Sequence, residues 1–361
     1  LNDSILNIEK NKEINGLQLK YERQQTEKEK IIANEKALKK NIILLSISII
    51  SVLLLFIMVF IYNRLKITRK QKSIIEKQNI ILIEKNEEIT TQNEEITTQN
   101  NVIQKQHENI QASISYASKI QQAILPSKKM VEQHFEEHFV LYRPCHVVSG
   151  DFYWFRQIKN HLYICAADCT GHGVPGAFMS MLGVSLLNQI VNDTISPNIV
   201  LNELRNQIKN ALNQTGKKGE QQDGMDIAFC MINIETKQVQ FSGAYNSMYL
   251  IRNNELIEFK ADRMPIGIHP KDSNKFTNHE IQLENGDTFY LFSDGYVSQF
   301  GGEKDEKFKT KRFTEILTRI SDKSMKEQHD ILDKTIDDWR GNQHQTDDIC
   351  VIGINVNTIT Q

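Results

Sequence analysis

Residues 162–183 read LYICAADCTGHGVPGAFMSMLG, and the period of the chain changes inside them. The apolar run that ends at Asp168 has the length and flanks of a buried strand. Past Gly171 and Gly173 the small residues Gly176, Ala177, Ser180 and Gly183 recur on neighbouring turns, which predicts a helix over 174–192 packed closely against a sheet. A carboxylate where a buried strand opens into a glycine turn is costly unless something pairs it, and no lysine or arginine lies in this segment. The glycines do not make a phosphate-binding loop, because the lysine of that motif is missing, so close helix packing is the preferred reading.

Working outward, further strand-like runs are IAFCMINIE (227–235), VQFSGAY (239–245), MYLIR (248–252), EIQLE (280–284), DTFYLFSD (287–294) and ICVIGINV (349–356). Helical patterns fall at 198–213, 311–320 and 324–340. That order predicts an α+β fold with a mostly antiparallel sheet. Acids stand at comparable strand ends: Asp151 in VVSGDFYW, Asp294 in YLFSDGY, and Asp347 with Asp348 in QTDDICVIG. Singly each is a turn or cap residue as readily as a ligand. Together with Asp168 they form the convergent, unpaired oxygen set that hard cations such as Mg²⁺ or Mn²⁺ require.

The front of the chain is different in kind. All 6 prolines and all but one of the 17 glycines lie from Pro126 onward, so the first 125 residues read as rods and residues 126–361 as the folded domain. The net charge of -2 argues against a nucleic-acid binder; the acid excess sits in the folded part. Residues 42–62 carry no charge and reach about 30 Å as a helix, enough to span a bilayer core. Lys36, Lys39 and Lys40 precede the span, whereas Arg64, Lys66, Arg69, Lys70 and Lys72 follow it, which places the C-terminal side in the cytoplasm of a single-pass protein of the cell's inner or plasma membrane. The 5 cysteines, an odd number without a CxxC pair, fit a reducing compartment. Residues 64–125 repeat Ile75, Leu82, Ile89, Ile96, Ile103, Ile110, Ala117 and Ile124 at heptad spacing, and EEITTQN occurs twice in succession at 87–100. This predicts a coiled-coil signalling linker and a homodimer. One register buries Asn79, Asn86, Asn93, Asn100 and His107, the other Gln92, Gln99 and Gln106, and both seams are weak. Residues 1–40 are charged and helical in pattern. The chain starts at Leu1, so residues 1–40 are expected to be the helical tail of a sensor region lying upstream.

The blocks ASKIQQAILP (117–126), SGDFYW (149–154), ADCTGHGVPGAFMSMLG (167–183), FSGAYNSMYL (241–250), MPIGI (264–268), LFSDGYVSQF (291–300) and TDDICVIGI (346–354) follow one another in an order that resembles the SpoIIE-like, RsbU-like serine/threonine phosphatases of the metal-dependent PPM superfamily. The resemblance covers about 116–356. It implies an α-β-β-α sandwich with a binuclear Mg²⁺ or Mn²⁺ centre that hydrolyses phosphoserine or phosphothreonine on a protein, without a covalent phosphoenzyme. A phosphorylated anti-anti-sigma factor of the STAS type is one candidate substrate. Carried over by motif, Asp168 bridges both ions with the Cys169 carbonyl as an added ligand, Asp294 and Asp347 hold one ion, and Asp151 helps hold the other directly or through water. Asp168, Asp294 and Asp347 are thereby the expected catalytic set.

Other positions match the pattern less closely. Asp348 is the second member of its pair. His172 lies four residues after Asp168, whereas the eukaryotic relatives place their general acid two after, where this chain has Thr170. Arg143 could neutralise substrate phosphate, but its spacing before Asp151 departs from that of the phosphate-binding arginine in those relatives. Asp226 stands where the family commonly shows a hydroxyl residue, leaving a further metal contact and a satisfied turn both open. Two other functions fit less well. A sensor histidine kinase shares the span-and-coil layout, but His107 is the sole histidine of the coil and no glycine-rich nucleotide boxes follow. A catalytically dead PPM domain would not need the full set of acids.

Overall fold

A computed structural model of the chain describes residues 2–217, 219–220, 222–270 and 274–356. The first element, α1 (Asn2–Ile124), runs without a break through all three predicted front segments. Past Gly16 nothing in it breaks a helix, and it stops where Pro126 disfavours helical geometry in the residue before it. Every apolar side chain from Ile42 to Tyr62 is exposed, as are the heptad positions Ile75, Leu82, Ile89 and Ile96. By length and composition α1 is the one helix among the described residues able to cross a membrane. Contacts divide the chain into two units, 1–102 and 103–361, so the last turns of α1 belong to the folded unit.

That unit continues with α2 (Lys128–Glu132), β1 (His138–Arg143), β2 (Phe152–Ile158), β3 (His161–Cys169), α3 (Gly173–Ile190), α4 (Pro197–Ala211), β4 (Met225–Asn233), β5 (Gln238–Ala244), β6 (Met248–Arg252), β7 (Glu255–Phe259), β8 (His279–Gln282) and β9 (Thr288–Phe292). It ends with α5 (Gly295–Ser298), the short hairpin β10 (Phe300–Gly301) and β11 (Glu306–Lys307), α6 (Lys309–Ile320), α7 (Met325–Arg340) and β12 (Ile349–Asn355). Two five-stranded sheets form, in the orders β1-β12-β9-β6-β7 and β2-β3-β4-β5-β8, and all their ladders are antiparallel.

Side-chain alternation builds the layers. Leu162, Ile164 and Ala166 of β3 meet Cys350, Ile352 and Ile354 of β12 in the core between the sheets. The intervening Tyr163, Cys165 and Ala167 pack instead against Leu187, Val200, Leu201 and Leu204 of α3 and α4. On the opposite side Tyr290, Phe292 and Val351 pack against Phe313, Leu317, Leu332 and Ile336 of α6 and α7. The result is the expected α-β-β-α sandwich. Strands buried on both faces read as continuous apolar runs, which is why β3, β4, β9 and β12 stand out in the sequence.

Strands that escape this signal are β1, β2 and β7, each at the edge of a sheet. The pattern of β7, ELIEF, has no fully buried position, and β2 carries Arg156 and Gln157 on its exposed side. The predicted helix at 174–192 is α3, and its glycines do serve packing: a Cβ at Gly176 would collide with the Gly171 carbonyl, and one at Gly183 would press on Phe152 and Met225. Gly171 and Gly173 adopt φ of +83° and +64°, the left-handed geometry that turns β3 sharply into α3.

Candidate active site

Antiparallel register sets Asp168, near the end of β3, directly opposite Asp226, near the start of β4. Asp294 follows β9 as the residue before α5, and Asp347 precedes β12. These four carboxylates line one cleft of about 350 Å³ together with Cys169, Thr170, Gly171, His172, Gln222, Gly224, Met225 and Pro265. Thr170 pins the turn: its amide donates to the Gly224 carbonyl (3.0 Å), and the Gly224 amide donates to its Oγ1 (3.0 Å). The Cys169 carbonyl faces Gly150, where a Cβ would stand 3.3 Å from the oxygen.

Among the described residues no lysine or arginine lines the cleft. Burial, reinforced by Asp294, Asp347 and Asp226, pushes the Asp168 carboxyl up to about 8. Burial and Asp294 push Asp226 up to about 7. Asp347 is also raised, chiefly by burial. Carboxylates held together at this cost, without a basic partner, are a donor set suited to divalent cations with oxygen preference. Asp226, left open by the sequence, lines the cleft together with Asp168, Asp294 and Asp347.

Asp151 is almost wholly buried behind this wall and does not line it. Ser293 Oγ donates to its Oδ2 at 2.5 Å, and Tyr142 donates to its carbonyl at 3.0 Å. Desolvation and the nearby Asp168 raise its carboxyl well above the usual range. Two candidates lie off this wall. Asp348 accepts from the Cys145 amide (2.6 Å) through one oxygen and from the Gly150 amide (2.7 Å) through the other, so it ties the β1–β2 loop to β12 and has no place on the cleft wall. Arg143 is paired with Asp333 and Asp337 of α7, both at 2.8 Å, because β1 runs beneath that helix; its guanidinium is spent away from the cleft. His172 does reach the cleft, with its ring stacked on His146 at 4.7 Å and 5°.

Sequence reasoning missed Gln121, which is buried near the end of α1. Its Nε2 donates to the Ser149 carbonyl (2.6 Å) and to Ser180 Oγ on α3 (2.9 Å), and its Oε1 accepts from the Ser149 amide (3.1 Å). It therefore links α1 to both the Gly150–Asp151 loop and α3. The signal was its spacing: Gln121 lies four residues after Ala117 and three before Ile124, within the apolar stripe.

The family model for stage II sporulation protein E (SpoIIE) matches residues 159–357, more than half of the chain. The chain belongs to the SpoIIE family. Among relatives of this SpoIIE-family chain, phosphoserine phosphatase RsbU of Bacillus subtilis is 26% identical over 193 residues, which are 52% of this chain and 54% of that protein. The chain thus spans about half the length of this curated relative. The SiaA-PP2C domain of Pseudomonas aeruginosa is 32% identical with a TM-score of 0.63, covering 69% of this chain and 98% of that domain. A structure of the PP2C phosphatase domain with a regulatory fragment of SpoIIE from Bacillus subtilis shares the fold, at 20% identity and a TM-score of 0.50 over 61% of each chain. The SpoIIE-family domain here is accordingly a PP2C-type serine/threonine protein phosphatase domain.

Proposed function

We propose that this chain is a membrane-anchored phosphatase that removes phosphate from serine or threonine of a regulatory protein, using Mg²⁺ or Mn²⁺. The observation that carries the reading is the cleft itself, where four carboxylates from separate strand ends meet with no lysine or arginine on the wall among the described residues. Asp168, the Cys169 carbonyl, Asp294 and Asp347 are the groups that would hold the divalent cations. Asp226 adds a further carboxylate on the same wall, and Asp151, buried behind it, would help hold a cation directly or through water. Bound divalent cations supply an activated water and offset charge on the phosphoryl oxygens. The protein's share is to hold its acids in place: Ser293 fixes Asp151, Thr170 fixes the turn after Cys169, and His146 backs His172 at the rim.

The exposed, charge-free stretch 42–62, apolar except for Ser46, Ser48 and Ser51, supports a membrane anchor, since so much apolar surface in water would be an aggregation site. The lysine and arginine excess after the span favours a cytoplasmic catalytic domain. Heptad spacing favours a parallel homodimer, and Gln121 offers a route by which a shift in α1 reaches the Asp151 loop. A STAS-type anti-anti-sigma phosphoprotein is one candidate substrate, and other phosphoproteins fit the cleft equally well.

Full-length protein in detergent should hydrolyse p-nitrophenyl phosphate and a phosphoserine peptide only when Mn²⁺ or Mg²⁺ is added. Asp168→Asn or Asp294→Asn should abolish turnover while the circular dichroism spectrum is kept. Undiminished activity in both variants would overturn the metal assignment.

A further inference from the structure

We infer that Lys307 binds the phosphate of the substrate, meeting the phosphomonoester dianion at the Asp294 end of the cleft. This rests on the phosphatase reading above and names the chain's own group that offsets substrate charge. A phosphoserine dianion entering a cleft walled by four carboxylates is repelled by each of them. Bound cations cancel part of that field, yet among the described residues the wall offers no lysine or arginine, and Arg143 is committed to Asp333 and Asp337.

A cation does stand beside the wall, on the β10–β11 hairpin. Phe300 pairs with Lys307 across this hairpin, which follows α5 directly. Most of the basic residues that end the hairpin and open α6 have acidic partners. Glu306 takes both Lys309 (2.6 Å) and Arg312 (2.5 Å), Lys311 approaches Glu315 (4.0 Å), and Arg312 also lies 4.5 Å over Trp339. Lys307 has no carboxylate within ion-pair distance among the described residues. Its Nζ donates instead to Ser298 Oγ (3.4 Å) and lies 5.9 Å from the Phe300 ring centroid.

Ser298 in turn donates to Asp294 Oδ2 at 3.1 Å, from one helical turn further along. An exposed, uncompensated ammonium therefore stands two hydrogen bonds from a cleft carboxylate. The interposed hydroxyl matters chemically. A direct Lys307–Asp294 ion pair would occupy the carboxylate needed for a cation; the serine leaves Asp294 available to a metal and Lys307 available to an anion. The hairpin that aims Lys307 is held by the Gly302 amide on the Trp339 carbonyl (2.7 Å) and by the Phe308 amide on the Gln299 carbonyl (2.9 Å). Its direction is thus set by backbone pairing rather than by a free loop.

The test uses the full chain in detergent with Mn²⁺, a phosphoserine peptide as substrate and inorganic phosphate as competitive inhibitor. Lys307→Ala should raise KM about five- to tenfold and weaken phosphate inhibition by the same factor, with kcat changed less than about twofold, as expected for one charge-assisted contact at an exposed site. Lys307→Arg should restore most of the loss, and added salt should raise KM more in the wild type than in Lys307→Ala. Lys304→Ala, which removes an exposed lysine of the same hairpin, should leave both constants unchanged. An unchanged KM and inhibition constant in Lys307→Ala, or failure of Lys307→Arg to restore them, would overturn the assignment. A wild-type protein without metal-dependent turnover would overturn the phosphatase reading itself, a separate outcome visible before any variant is made.

Discussion

Asp168 and Asp226 face one another across the β3–β4 ladder, and both hold their protons far more tightly in the folded chain than an ordinary aspartate does. A carboxyl whose folded pKa lies above its unfolded value contributes stability below the unfolded value of 3.8, and loses it as pH rises through about 7 for Asp226 and about 8 for Asp168. Metal-free protein in EDTA should therefore melt at progressively lower temperature as pH is raised from about 5 to 8. Asp226→Asn should flatten that slope, and Mn²⁺ should suppress it, because a bound cation favours the ionised acids. Differential scanning fluorimetry across pH, with and without Mn²⁺, measures this directly, and a flat metal-free profile would contradict it. Residue identity alone could nominate Asp168, Asp294 and Asp347, since each stands at one end of an apolar run near a glycine or a second acid. Residue type alone does not separate Asp347 from Asp348; adjacent side chains on an extended chain point to opposite sides, and in the fold Asp347 lines the cleft while Asp348 accepts from the Gly150 amide.

At the scale of elements, α3 and the turn before it are the tightest part of the site. Gly150 and Gly176 both close on the Gly171 carbonyl, so the loop carrying Asp151 and the first turn of α3 share one contact point. Gly176→Val should cost about 1–3 kcal/mol of stability through overpacking, and should lower kcat beyond what the loss of folded protein explains, because the turn bearing Cys169 must shift. Urea unfolding alongside activity per folded molecule separates the two effects. The elements themselves were legible wherever both faces of a strand are buried, as in β3, β4, β6, β9 and β12. Edge strands such as β7 were not, because a half-exposed strand of five residues lacks an apolar run and its alternation is too short to stand out.

On the scale of the whole molecule, α1 exposes two kinds of surface that water does not tolerate well. One is the continuous apolar segment 42–62; the other is the heptad stripe through Ile75, Leu82, Ile89 and Ile96. If the stripe pairs two copies, Ile89→Asp with Ile96→Asp should convert a dimer to a monomer in detergent, as read by light scattering coupled to chromatography. The double variant should keep hydrolysing p-nitrophenyl phosphate, because no residue of the cleft is touched. A mass unchanged from wild type would remove the coil from the interface. The asymmetry of composition already marked this division, with helix-breaking residues almost confined to the second part of the chain.

The sequence by itself determined the helical front, its charge-free apolar stretch, the α+β class and the acids at the strand ends, because each of these is written in local order: period, charge-free length, or an acid at the end of an apolar run. Tertiary structure decided which groups actually meet. It placed Asp226 opposite Asp168, buried Asp151 behind Ser293, spent Asp348 and Arg143 on scaffold contacts, and brought Gln121 and Lys307 to the borders of the site. Those outcomes depend on sheet register and on contacts between residues 28 to 198 positions apart, such as Gln121 with Ser149 and Gly150 with Asp348. No local pattern in a chain encodes separations of that length, since they exist only once the sheets have paired.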